Sequence, residues 1–379
     1  MVDRKLLRKL DFALLALVGI LLVFGLVMVY SATQSGVHHN PEDPLASVKR
    51  QGRWCLVGLG AMVLLLGLDY RVLEKYARLM YVATVIGLAL VWVSGLRAGG
   101  SQRWLRLGWL SIQPSELAKI VVIISLARYL SERDEPDWES LRDLVGPFAY
   151  VGLPTILVLL QPDLGSTLVF VGILFGMLAV AGVKLRHLGG IVAAGLLGSV
   201  FLVLLAGRGY YPLLKEYQIK RLMVFVNPYS DKMGAGWNVI QSMIAVGSGG
   251  FFGKGLLAGS QVQLNFLPAH HTDFIFSVVG EELGFVGAFT LLVLYYLLLR
   301  RGLKIIAEAK DEFGRLIATG VVSMLFFHIA INVGMTVGLA PVTGIPLPFI
   351  SYGGSSLITN LIGIGLLLNI HMRRQKINF

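Results

Sequence analysis

The sequence predicts an all-α polytopic integral membrane protein with about ten transmembrane helices, and three observations carry that reading. Of its 379 residues, 55% are apolar and only 15% are charged, whereas a soluble domain carries about 25% charged residues. Apolar runs of spanning length, such as Leu14–Tyr30 and Leu188–Ala206, recur along the chain. Mean hydropathy is +0.73. Together these exclude a soluble globular enzyme, a disordered chain and a fibrous repeat.

A span needs about 20 largely apolar residues. The first candidate, 12–32, follows Arg4, Lys5, Arg8 and Lys9. It is too long for a cleavable signal core and reads as a retained helix. The second, 54–69, holds the lone cysteine, Cys55. That residue reads as a small buried hydrophobe, and alone it supplies neither a disulfide framework nor a cysteine metal cluster. Candidates follow at 79–96, 114–130, 145–161 and 165–183, the last two interrupted by Pro147, Pro154, Pro162 and Gly165. The segments 187–206, 272–300, 316–339 and 352–371 complete a single transmembrane domain over 1–379. No internal repeat of fixed period stands out, which weighs against an inverted-repeat transporter.

The formal charge is +11. No basic face with interleaved aromatics accompanies it, so the excess fits cytoplasmic loops better than nucleic acid. Placing both termini in the cytoplasm puts most of the 33 Lys and Arg on that side. The cations left outside are the informative ones. Arg97, Arg103 and Arg106 share one outer loop. Arg208, Lys215, Lys220, Arg221, Lys232 and Lys254 share the long extracytoplasmic loop, 207–271, between the seventh and eighth spans. An anionic ligand at the outer face and simple headgroup contact both account for them. Within the long loop, Gly236–Val246 reads as a helix with Trp237, Ile240 and Ile244 on one face. Gly247–Gly255 matches no phosphate-loop spacing and reads as a flexible re-entrant or interfacial segment.

Ionisable residues inside apolar spans usually face a cavity or a partner. Glu116 and Lys119 lie three apart on the fourth span, on one helix face, and can pair. His270, His271, Thr272 and Asp273 stand where the long loop enters the eighth span. Asp273 there is either a helix cap or a reactive carboxylate at a depth similar to Glu116. Glu281 and Glu282 lie deeper and point about 100° apart, so at most one faces a given cavity. Proton relay and structural pairing are both open for them. Jointly these residues suit a lipid-linked anionic substrate, with its tail between helices and its diphosphate on basic groups. That describes a membrane enzyme or a lipid carrier.

Four stretches carry a resemblance. They are Arg103-Trp104-Leu105 with Gln113-Pro114-Ser115-Glu116-Leu117-Ala118-Lys119; Gln161-Pro162-Asp163-Leu164-Gly165; Phe266–Phe276 continuing to Glu281-Glu282-Leu283-Gly284-Phe285; and Pro341–Ser356. Together they closely resemble the SEDS family (shape, elongation, division and sporulation) over nearly the whole chain. Gly259–Asn265 is more similar to its RodA elongation branch than to its FtsW division branch, although Ala269 and His270 depart from the charged residues common there.

The resemblance implies a ten-span peptidoglycan glycosyltransferase of the bacterial inner membrane. It would polymerise lipid II beside a class B penicillin-binding protein and other elongation-complex membrane proteins. The family's essential outer aspartate falls on Asp273, and its fourth-span pair on Glu116 and Lys119. Inversion at the α-linked donor sugar needs a base near the acceptor 4-hydroxyl, a role open to Asp273. Arg103, Arg106, Lys119 or a divalent cation, Mg²⁺ or Mn²⁺, carried by the diphosphate would offset the leaving charge. His271, Glu281 and Asp163 join the supporting set, Asp163 as either a cap or a cavity residue. Ser355 and Ser356 either contact substrate or cap the tenth span. A lipid II translocator and a non-catalytic scaffold for the penicillin-binding protein remain as rival readings.

Overall fold

The computed structural model describes residues 8–34, 42–94, 96–98, 101–107, 110–133, 140–207, 223–231 and 234–374. Eleven helices of 14 or more residues organise them. They are α1 (Phe12–Ala32), α2 (Ala46–Gly67), α3 (Tyr70–Ser94), α4 (Pro114–Ser131), α5 (Val145–Leu160), α6 (Leu164–Val180), α7 (Leu185–Gly207), α8 (Ala235–Ser248), α9 (Ile275–Ala307), α10 (Glu312–Thr336) and α11 (Gly354–Met372). Each expected span has its helix, and seven of these are long and apolar enough to cross a membrane. The other three, α2, α4 and α6, are either shorter or carry the charges that build the site.

Local chemistry sets the helix starts. Asp11 opens α1 by accepting the Leu14 amide at 3.0 Å. Asp163 opens α6 and Asp311 opens α10 in the same way, through the Ser166 and Gly314 amides. Each bond satisfies one of the amides a helix start leaves unpaired. Pro114 takes the first position of α4, where its missing N–H costs nothing.

The centre of the molecule is α10, which packs on α4, α6, α8, α9 and α11. Its small residues permit close approach. A Cβ on Gly320 would lie 2.6 Å from Ile123 of α4 and 2.9 Å from Met177 of α6. At the periphery α7 exposes Leu196, Leu197 and Leu204, a face suited only to lipid.

The helices bear out the all-α expectation, and the loop that holds Arg103 adds one small sheet to it. Leu96–Ala98, Ser101–Leu107 and Leu110–Ile112 form an antiparallel meander, β1-β2-β3, paired Arg97 to Gln102 and Leu105 to Ile112. Hairpin strands this short leave almost no periodic signal in a chain dominated by spans.

The glycine-rich stretch after α8, by contrast, is not the loose segment expected. Helix α9 breaks at Gly284, whose φ is +64 and ψ −159, a region essentially confined to glycine. The break frees backbone groups on both sides, and the stretch takes them up. Lys254 and Gly255 amides donate to Glu281 and Glu282 carbonyls at 3.0 and 2.9 Å, while Phe285 and Val286 amides donate to Gly250 and Phe251 carbonyls at 2.9 and 3.1 Å. Contact is so close that a Cβ on Gly284 would collide with the Gly253 nitrogen.

Helix α8 forms as expected but presents a different face. Val239, Gln241, Ser242 and Ala245 are buried, whereas Trp237 and Ile244 are partly exposed. Two hydrogen bonds decide this. The Ser242 hydroxyl meets Ser277 Oγ at 2.6 Å and lies 2.7 Å from the Thr336 carbonyl it donates to, so the face that packs inward combines these polar residues with Val239 and Ala245.

Candidate active site

The long loop enters α9 through a tight turn in which Thr272, Asp273 and Phe274 amides all donate to the Ala269 carbonyl. His270 anchors this turn. It is buried, with Nδ1 and Nε2 at 2.6 and 2.8 Å from the Leu267 and Ala32 carbonyl oxygens. That fixes His270 as a structural residue. His271 and Thr272 face the other way, into a cavity of about 470 Å³.

The connection between α10 and α11 closes over Asp273. Ser351 Oγ donates to the Thr272 carbonyl at 2.6 Å, and the Tyr352 amide donates to the His271 carbonyl at 3.0 Å. Gly344, at φ +73, brings backbone against the carboxylate: a Cβ there would lie 3.2 Å from Asp273 Oδ2. Asn332 of α10 donates through Nδ2 to both the Asp273 and Ile345 carbonyls, at 2.9 and 2.7 Å. The reactive candidate is held by its backbone while its side chain stays partly exposed.

The cavity beside it is lined by Arg50, Arg53, Trp54, Trp104, His271 and Tyr352, among others. Gln51 positions the first turns of α2. Its Nε2 donates to the Ser351 carbonyl at 3.1 Å, and its Oε1 accepts from the Gly353 amide at 3.2 Å. This two-point clamp sets Arg50 and Arg53 beside the mouth of α11. Gly354 lets Trp54 close on the same turn, since a Cβ there would collide with the indole.

Glu116 and Lys119 do pair, at 2.7 Å, and both are almost fully buried. Lys119 also reaches His328 Nε2 of α10 at 2.8 Å. An ammonium only donates, so Nε2 is the acceptor there. His328 and Asn332 stand one turn apart on α10, so a single helix face carries both the ammonium's partner and the bracket behind Asp273. Glu116 Oε2 and His328 Nδ1 are buried without a partner among the described residues.

The sheet and the turn before α6 form a second network. Asp163 caps α6 through the Ser166 amide, and its Oδ2 accepts from Ser166 Oγ, Gln113 Nε2 and Ser115 Oγ at 2.9, 3.2 and 3.3 Å. Arg103 lies 3.8 Å from its other oxygen and donates to the Gln161 and Pro162 carbonyls. Ser355 accepts the Gln113 amide at 3.1 Å, and Asn360 Nδ2 donates to Ser356 Oγ at 3.4 Å. The N-cap of α11 is Gly353, so neither serine holds that position.

Placement therefore divides the expected residues. His271 lines the cavity, and Asp273 follows Thr272 of that lining with its carboxylate against Gly344; Glu116 and Lys119 stand behind, joined through α10. Arg103 and Asp163 serve the wall, because their charges meet each other and local backbone. Glu281 is not part of the cavity lining, and its Oε1 accepts from Lys254 Nζ at 2.7 Å, Ser260 Oγ at 3.1 Å and the Gln261 amide at 3.0 Å. Glu282 accepts from Ser31 Oγ at 2.6 Å. Both glutamates thus hold the outer loop to the bundle, and their partners favour structural pairing over a proton relay. The side chain of Arg106, and residues Arg208, Lys215, Lys220, Arg221 and Lys232, lie outside the described residues.

Sequence reasoning missed Arg50, Arg53, His328 and Asn332. The first two precede position 54, where the apolar run places the start of the second span, yet α2 starts eight residues earlier. The other two form a polar pair spaced four apart in an apolar span, a signal of the same kind as Glu116 and Lys119. Among the described residues no three His, Cys, Asp or Glu side chains gather to hold a metal.

A family model for cell cycle proteins of the FtsW, RodA and SpoVE type matches residues 12–376. The peptidoglycan glycosyltransferase MrdB of Escherichia coli (strain K12) is 40% identical over 370 residues, 97% of this chain and 95% of its own. Stage V sporulation protein E of Bacillus subtilis (strain 168) is 39% identical over 95% of this chain and 96% of its own. Among solved structures, a chain of a peptidoglycan synthase complex that coordinates polymerization and crosslinking is similar with a TM-score of 0.79 at 36% identity, covering 96% of this chain and 98% of that one. The rod shape determining protein RodA of Thermus thermophilus gives 0.70 at 33% identity, covering 97% of this chain and 98% of that one.

Proposed function

As a chain that belongs to the SEDS family of FtsW, RodA and SpoVE, this protein is a multi-pass membrane peptidoglycan glycosyltransferase, and from that premise we propose that it polymerises lipid II at the outer face of the cytoplasmic membrane with Asp273 as general base. The observation that supports the proposal most is a partly exposed, backbone-fixed carboxylate placed directly after Thr272, a residue that lines a cavity edged by two guanidinium groups.

The step is an in-line displacement with inversion. The acceptor 4-hydroxyl oxygen forms the new bond to the donor sugar's anomeric carbon, and its proton passes to Asp273. The bond to the diphosphate breaks, its electron pair leaving with that group. Base assistance of this kind is typically worth roughly 10²–10⁴-fold. Arg50 and Arg53, not Arg103 or Lys119, are the cations that face the leaving diphosphate, because the latter two are committed to protein partners. A divalent cation arriving on the diphosphate would add to this charge as part of the substrate. Lys119 and Glu116 act from behind, holding α4 against α10 and so keeping the Asn332 bracket in register.

We further assign ten spans with both termini cytoplasmic, a class B penicillin-binding protein as partner, and service in elongation. The positive-inside distribution supports the orientation. The similarity to a chain of a peptidoglycan synthase complex supports the partner.

Polymerisation of purified lipid II in detergent tests the assignment, comparing wild type with Asp273→Ala, each with and without the class B partner. Polymer from the wild type and none from a folded, partner-binding Asp273→Ala is the expected result. Equal polymer from both removes Asp273 as base. No polymer from either with the partner present moves the reading to a translocator or a scaffold.

A further inference from the structure

At the far end of α9 from Asp273, a groove of about 550 Å³ opens between α1 and α9. Ala13, Ala16, Leu17, Ile20 and Leu297 form its walls, and Arg300, Arg301 and Lys304 form its rim. Helix α1 runs unbroken from Ala13 in the groove to Ala32, whose carbonyl meets His270 beside Asp273, a rise of roughly 28 Å that matches a hydrocarbon core of about 30 Å. The groove therefore opens at the membrane face opposite the active site.

Charges at this groove are balanced differently from those nearby. Arg71 meets Asp311 at 2.8 Å, Arg315 meets Glu312 at 2.8 Å, and Arg128 meets Glu132 at 2.6 Å. Within the groove Arg301 stands 3.7 Å from Asp11 and Lys304 stands 3.6 Å from Glu308. Arg300 has no ion pair among the described residues. Asp11 is already engaged with the Leu14 amide, and Arg8 and Lys9 add two cations immediately before α1. The walls are open as well as apolar: small side chains at positions 13 and 16 leave the concavity, and a Cβ on Gly19 would meet nothing within 4 Å.

Cations alone would not need an apolar trough, and acyl contact alone would not need three cations. We propose that this groove binds an anionic phospholipid, its phosphate on Arg300 and Lys304 with Arg301 beside them, and one acyl chain along Ala13, Ala16, Leu17, Ile20 and Leu297. Basic recesses between helices at one membrane face bind such headgroups by this combination of charge and burial. Assigning the lipid to the inner leaflet rests on the orientation proposed above; the binding itself does not.

Native mass spectrometry of the full chain in detergent tests this, with phosphatidylglycerol or cardiolipin added against phosphatidylcholine. Arg300→Gln/Lys304→Gln removes the headgroup contacts and leaves the Arg301–Asp11 pair in place. Ala16→Trp fills the trough and leaves every charge. The double variant should bind the anionic lipid about thirty-fold more weakly, two steps of roughly five-fold per surface cation, with an unchanged unfolding temperature. Ala16→Trp should also weaken lipid binding, and phosphatidylcholine should not be retained. Equal retention of anionic lipid by the double variant, or equal retention of phosphatidylcholine by the wild type, would overturn the proposal. Displacement by millimolar inorganic phosphate with no effect of Ala16→Trp would overturn it too, as the mark of a free-anion site. None of these readouts needs polymer, so their failure leaves the Asp273 assignment untouched.

Discussion

Breaking the Glu116–Lys119 pair from either side should damage the protein more than removing it whole. The two groups are 2.7 Å apart, with side-chain exposures of 4% and 1%. Glu116→Gln leaves a buried ammonium without its counter-charge, and Lys119→Met leaves a buried carboxylate. Loss of one partner from a buried ion pair costs about 3–5 kcal/mol. At about 2 °C per kcal/mol, the low end of the range for longer chains, each single variant should lower the unfolding temperature by roughly 6–10 °C. Glu116→Gln/Lys119→Met strands no charge. Its remaining penalty is His328 Nε2, which loses its donor at a cost of about 1–3 kcal/mol. The cycle should therefore show a coupling of at least about 3 kcal/mol. Tryptophan fluorescence melts of the four proteins in one detergent, at one scan rate, give the comparison. Additive single effects, or single shifts below about 2 °C, would refute the buried-pair argument. Polymerisation by the double variant then reads positioning separately from stability: intact folding with reduced turnover is expected if α4 and α10 set the Asn332 bracket.

Three further outcomes are expected. Arg50→Gln and Arg53→Gln should each lower kcat/KM about ten-fold or more, the scale of one charge-assisted hydrogen bond, and wild-type values from both would return the diphosphate to other cations. Gly284→Ala forces a side chain into φ +64 and against the Gly253 nitrogen; a loss of about 1–3 kcal/mol with new protease sensitivity around 249–257 is expected, and a melt like wild type would mean the break is not required. Burial opposes ionisation of Asp311, but hydrogen bonds from the Gly314 amide, Tyr70 and Arg71 prevail and hold its carboxyl below the ordinary carboxylate range. A lowered folded value contributes stability that is present above the unfolded pKa and lost as pH falls through the folded one. Asp311→Asn should therefore remove part of the acid-induced loss below about pH 4, and identical acid limbs for variant and wild type would contradict this.

What the sequence discloses, and what it conceals, follows from range. Spans are legible because a continuous apolar run of about 20 residues is seldom found outside a membrane. Asp273, Glu116 and Lys119 are legible because charge inside such a run stands out against its neighbours. The pairing of Glu116 with Lys119 needs only the helix period. By contrast, the partners that give those residues their setting lie far along the chain. His328 is 209 positions from Lys119, and the Gln51 clamp joins residues 300 and more apart. The part taken by Glu281 is hidden for the same reason, since nothing local says that Lys254 folds back on it. Arg103 misleads for the same reason, because the acceptors that claim its guanidinium, the Gln161 and Pro162 carbonyls and the Asp163 carboxylate, stand 58 and more positions away.

The seam between the glycine-rich stretch and the broken α9 is made by main chain against main chain. Such a join tolerates no side chain where the two backbones touch, since a Cβ on Gly249, Gly253 or Gly284 would collide with the facing main chain. Phe252 points away, 79% exposed, and is open to substitution without disturbing it, whereas Phe251 stacks on Phe285 with ring centroids 5.6 Å apart. The join is equally intolerant of a change in length. One residue inserted between 250 and 255 would slide every amide past its carbonyl, and no choice of amino acid would restore the register. Variation in this part of the chain is thus confined to replacement at positions other than Gly249, Gly253 and Gly284, with insertion and deletion closed off.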